Sequence, residues 1–179
     1  MSNALVSKSV WVYRGSDGGE ATVRLDDAHS QEESDWSTVD ALLEPVVNVG
    51  SELWLDDGRK IRFPFSAQPK ILPDQTGVVV IFDDGKRKYT HPDGTDVFPA
   101  PNNAAIYNAD GSLRFQLRFA SRAVVNRIAG VHSGAIVSPK FKGMMGVVVA
   151  SHPEAQPEWV YVIDPSQPEL ISTGQWVRW

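Results

Sequence analysis

Ala105-Ile106-Tyr107-Asn108-Ala109-Asp110-Gly111-Ser112-Leu113-Arg114-Phe115-Gln116-Leu117-Arg118-Phe119 is the most strongly patterned stretch of the chain. From Leu113 to Phe119 apolar and polar residues alternate without a fault. That period of two belongs to a strand with one apolar and one polar face. The Asp110-Gly111 pair before it has the composition of a tight turn, because Asp and Gly both tolerate the positive φ of a type I′ hairpin. The stretch therefore predicts two antiparallel strands joined at Asp110-Gly111.

Working outward, the same punctuation recurs at Asp17-Gly18, Asp57-Gly58, Asp84-Gly85 and Asp93-Gly94. Leu53-Trp54-Leu55 and Lys60-Ile61-Arg62-Phe63 flank the second of these, and Val78 to Phe82 leads into the third. Val10-Trp11-Val12-Tyr13 and Ala21-Thr22-Val23-Arg24-Leu25 bracket the first. Near the C-terminus, Met145 to Ala150, Glu158 to Ile163 and Gln175 to Trp179 read as further strands. Ser34 or Asp35 can cap a helix over Trp36 to Glu44 that Pro45 ends, with Trp36, Val39 and Leu43 on one face. The expected fold is mainly β: an antiparallel, hairpin-rich sandwich or partly open barrel with one short helix, as a single domain over residues 1–179.

With 42% apolar and 22% charged residues, the chain has the composition of a globular protein. Its 17 Lys and Arg against 22 Asp and Glu leave a net charge of −5. This argues against a nucleic-acid partner, which needs an excess of cations on one face, and suits a basic protein partner. With no cysteine, disulfides, thiolate catalysis and Cys-type zinc sites are excluded. Met1 to Lys8 lacks the basic start and apolar run of a secretory signal. The longest apolar run, Val78 to Phe82, is far short of the ~20 residues that span a bilayer. The expectation is a cytoplasmic protein without membrane contact.

No motif names a reaction. His29, His91, His132 and His152 show neither HExxH nor HxH spacing, so neither a metal nor another cofactor is expected. His132-Ser133 is not set in a nucleophile elbow, and Asp83, Asp84 and His91 could converge only through folding. We therefore expect no catalytic residues and no enzyme. The six tryptophans read first as core filling between sheet layers, and second as stacking platforms or interface anchors. Glu32, Glu33, Asp35 and Trp36 place acidic charge beside an aromatic ring, the combination expected of a surface that meets a basic partner. Asp83 and Asp84 form a secondary acidic candidate.

Asn103 to Phe115, followed by Gly146-Val147-Val148-Val149 and Glu158 to Pro165, resembles small uncharacterised bacterial proteins, among them immunity partners of interbacterial toxins. The resemblance covers the C-terminal half. It implies a protein that neutralises a cognate toxin by direct contact and transfers no catalytic residue. The alternative expectation is a small-ligand or carbohydrate-binding β module, favoured if Trp54, Trp159 and Trp176 gather in an open groove.

Overall fold

The computed structural model describes residues 4–24, 33–63, 65–83, 89–90, 93–119, 127–150 and 158–177, without the side chains of residues 33–35. The fold is mainly β. In chain order its elements are β1 (Val6–Arg14), β2 (Glu20–Arg24), α1 (Glu33–Asp40), β3 (Val47–Leu55), β4 (Lys60–Phe63), β5 (Lys70–Ile71) and β6 (Gly77–Ile81). They continue with β7 (Ala104–Asn108), β8 (Leu113–Gln116), β9 (Arg118–Phe119), β10 (Arg127–Val131), β11 (Met145–Ala150), β12 (Glu158–Ile163) and β13 (Glu169–Val177). Three sheets result, with strand orders β2-β1-β3-β4, β5-β6-β7-β8 and β10-β11-β12-β13-β9. No helix among the described residues is long and apolar enough to cross a membrane.

The chain divides into two compact units. The first comprises Met1–Val78 with the hairpin tip Asn108–Ser112, and the second Val79–Tyr107 with Leu113–Trp179.

In the first unit the sheet is curled. β2 and β4 are its outer strands, which a flat sheet would hold about 14 Å apart. Yet Arg62 of β4 reaches Glu20 of β2 with a 2.7 Å bond, and Arg14 grips the same carboxylate at 2.7 Å. Register shifts at Val6/Lys8 and Val12/Tyr13 in the β1–β3 pairing supply the bend, as bulges do. The curl buries Val10 and Val12 on the inner side, while Leu53 and Phe63 are buried on the opposite face. Glu52, only 9% exposed, sits among the inner residues and is satisfied there. It accepts the Trp54 indole N–H at 2.7 Å and lies 3.6 Å from Arg62.

Helix α1 begins at Glu33 and ends at Asp40, earlier than the expected Trp36 to Glu44. Its last turn tightens, with Leu42 N–H bonding Val39 C=O three residues back. Leu43 therefore leaves the helix and stands 59% exposed, and Leu42 takes the packing position expected of it.

The Asp-Gly hairpins form, but by a different turn from the expected type I′. At Gly15–Gly18, Leu55–Gly58 and Asn108–Gly111 the fourth residue's N–H bonds the first residue's C=O. Only that fourth residue, glycine, has positive φ, at 84°, 86° and 84°. This is a three-residue loop closed by a glycine bulge, in which Asp sits at the third position with negative φ. Its carboxylate accepts the N–H two residues on: Asp17 from Gly19, Asp57 from Arg59, Asp110 from Ser112. Asp is chosen for its side-chain acceptor, not for tolerance of positive φ. The turn at Asp84-Gly85 lies outside the described residues.

In the second unit the alternating run from Leu113 to Phe119 does not stay in one sheet. β8 pairs antiparallel with β7, while β9 pairs in parallel with β13. The switch falls at Leu117, which is fully buried and bonds Ala104 C=O through its N–H. The next N–H, of Arg118, goes to Pro168 C=O. Leu113 is half exposed despite its place in the pattern, and the register shift between Ile106/Phe115 and Tyr107/Leu113 in the β7–β8 pairing falls just beside it.

Candidate functional site

The acidic candidates fall in two places. Glu32 and Asp84 lie outside the described residues. Glu33 and Asp35 belong to the start of α1, and their side chains are likewise outside the description. Trp36 is described, and it packs inward. Its ring meets Tyr13 at a centroid distance of 5.7 Å and rests on the cluster of Ala21, Val23 and Val39. It staples the helix to the β1–β2 hairpin. Asp83, in the second unit, is half buried, and its C=O accepts the Asn103 side-chain amide.

Asn103 explains that local order. It is fully buried, donates also to Ile128 C=O at 2.9 Å, and accepts Ile128 N–H at 2.8 Å. Both ends of its amide are thus paired, as a buried amide requires. His132 and Ser133 are held by the neighbouring strand: His132 N–H bonds Gly146 C=O, and the Ser133 hydroxyl accepts Gly146 N–H at 3.2 Å. His29, His91 and His152 lie outside the described residues. Among the described residues, no group of three or more His, Asp or Glu could hold a metal ion.

The tryptophans depart most from expectation. None of the five described belongs to the buried core. Trp11 is half buried and donates to Ser66 C=O at 3.1 Å. Trp54 is flanked by two ammonium groups, Lys8 and Lys60, with Nζ atoms 3.4 and 4.0 Å from its ring centroid. These cations come from the strands on either side of β3 and are attracted by the indole's negative faces. Core filling fails here because an indole with a hydrogen-bonding N–H sits well where one end is apolar and the other wet.

Trp159 and Trp176 behave differently. They are register partners across the β12–β13 pair, so both project from one face, and they are 37% and 53% exposed. Tyr161, two residues along β12, shares that face. Its ring meets Phe119 of β9 edge-on at 5.3 Å. Opposite Tyr161 stands Ser172, exposed, and a register shift follows at Gly174, where φ is 69°. An aromatic row thus runs across β13, β12 and β9, its outer end in solvent. The sequence grouped Trp159 and Trp176 with Trp54 as residues that could gather in a groove, but not as a cross-strand pair, because register across two strands is not written in either one.

Charge is also divided unequally. The first unit holds seven Lys and Arg against 14 Asp and Glu, a net of −7. The second holds ten against eight, a net of +2. Comparison with protein-family models, with curated proteins and with solved structures finds no match.

Proposed function

We propose that the chain is an immunity-type protein that binds a basic toxin in the cytoplasm and neutralises it by direct contact, without catalysis. The observation that carries this reading is the concentration of acidic charge in the first unit, a net of −7. A field of one sign raises the encounter rate with a partner of the other sign and disfavours nucleic acid. Three of those acidic residues, Glu32, Glu33 and Asp35, fall within one run of four. Trp36 fixes the helix to the β1–β2 hairpin. Its loss therefore acts on binding through the position of the helix as well as through any direct contact.

The test is protection in bacteria. A basic toxic domain encoded beside this chain is expressed with and without it, and growth is followed. Rescue by the wild type is expected. The Glu32→Lys, Glu33→Lys variant should slow association of the purified pair and flatten its salt dependence. Unchanged toxicity in the presence of folded chain would overturn the reading.

A further inference from the structure

We infer that the aromatic row of the second unit is a binding platform for a neutral sugar chain. Trp159 and Trp176 stand side by side on one face, at the cross-strand spacing of about 5 Å between Cβ atoms. Tyr161 continues the row, and Ser172 opposite it is small enough to leave the ring approachable. Flat rings of this kind receive the C–H faces of pyranoses, while the Ser172 and Tyr161 hydroxyls provide polar partners at the rim. The Ser172 oxygen already accepts Gly174 N–H at 3.3 Å, which orients its own proton elsewhere.

Charge decides for a neutral ligand. Among the described residues, Trp159, Trp176, Tyr161, Phe119 and Ser172 make an uncharged strip, and register puts Glu158 of β12 on the reverse face. The unit around it is nearly balanced at +2, so it draws no strongly charged partner. On the β11 side, Val147 and Val149 stand next to Tyr161 and Trp159 on the same face and are at most 1% exposed, so the open part of the row is its Trp159–Trp176 end. A platform on a central strand pair is held rigidly, which lowers the entropy cost of binding.

Affinity electrophoresis in gels containing hydroxyethyl cellulose, soluble xylan or dextran tests this directly and involves no toxin. Wild-type protein should be retarded in at least one gel, and salt on the order of 1 M should not abolish the retardation, since no charge is involved. Trp159→Ala with Trp176→Ala should weaken binding about tenfold or more. Ser172→Lys, which leaves both indoles in place but puts a charge on the strip, should weaken it also. Leu113→Ser, at an exposed position outside the row, should match the wild type. Free migration of the wild type in all three gels, retardation lost in high salt, or full retardation of either row variant would overturn the inference.

Discussion

The two units place tryptophan in opposite circumstances. In the first, Trp54 lies between Lys8 and Lys60 and donates to the buried carboxylate of Glu52, and Trp36 pins a helix to a hairpin. In the second, Trp159 and Trp176 stand in solvent with a sheet behind them. The first unit is strongly acidic and cross-linked by polar bonds, whereas the second is nearly balanced and carries an uncharged aromatic strip. The same side chain is thus a structural clamp in the first unit and, in the second, the surface we propose for binding. Residue type alone does not distinguish the two.

Substitutions sharpen this contrast. The largest effect is expected at the first unit's core, where Leu53 is fully buried. Leu53→Ala should cost about 2–5 kcal/mol in urea unfolding, by lost transfer energy and the cavity left behind. Trp36→Ala should cost about 2 kcal/mol, less than the 3–5 kcal/mol of a fully buried ring because part of its surface is already wet. A change of only a few tenths would show that Trp36 is no clamp and would erase the contrast with Trp159.

Glu20 links Arg14 and Arg62 across the curled sheet, and both ends are partly exposed. Glu20→Gln should cost about 0.5–1 kcal/mol, since solvent screens such pairs. The Arg14 hydrogen bond, then that of Arg62, holds the Glu20 carboxyl below its ordinary value of 4.5. A lowered carboxylate stabilises the fold fully above that ordinary value and loses the contribution as pH falls through the folded one. The difference between Glu20→Gln and wild type should therefore shrink below about pH 4.5. Asp110 and Asp164 are lowered by the hydroxyls of Ser112 and Ser166, and Asp57 by the Arg59 N–H, so acid should loosen these turns in the same direction. A pH-independent difference in unfolding midpoint would break the argument for the Glu20 clasp.

The smallest effect is expected in the second unit. Trp176→Ala should change stability by about 0.2–1 kcal/mol, the value of one cross-strand pair. A cost near that of Trp36→Ala in the same denaturant titration would make Trp176 a clamp too.

Much of the fold was legible. Alternation and Asp-Gly punctuation are local signals, so the β1–β2, β3–β4 and β7–β8 hairpins could be placed from their own residues. The helix was found but shifted, since its end depends on Leu42, not Leu43, meeting the hairpin surface. The acidic segment was legible as charge, because Glu32, Glu33 and Asp35 stand within four residues. The aromatic row was not legible, because it depends on the register between β12 and β13 and on β9, which lies far from both along the chain.

By itself the sequence determined the strands of the Asp-Gly hairpins, where the chain reverses and which residues carry charge, since each is settled within a few neighbouring residues, whereas β13 begins at Glu169, ahead of the expected Gln175. Tertiary structure decided the rest. Register set Trp159 opposite Trp176, the curl brought Arg62 to Glu20 across a sheet, and a buried corner at Leu117 split one alternating run between two sheets. Each of these depends on how one strand is set against another, whether the next along the chain or a distant one. Backbone hydrogen bonds are alike for every strand, so that choice is made by the packing of whole faces and not by any single stretch.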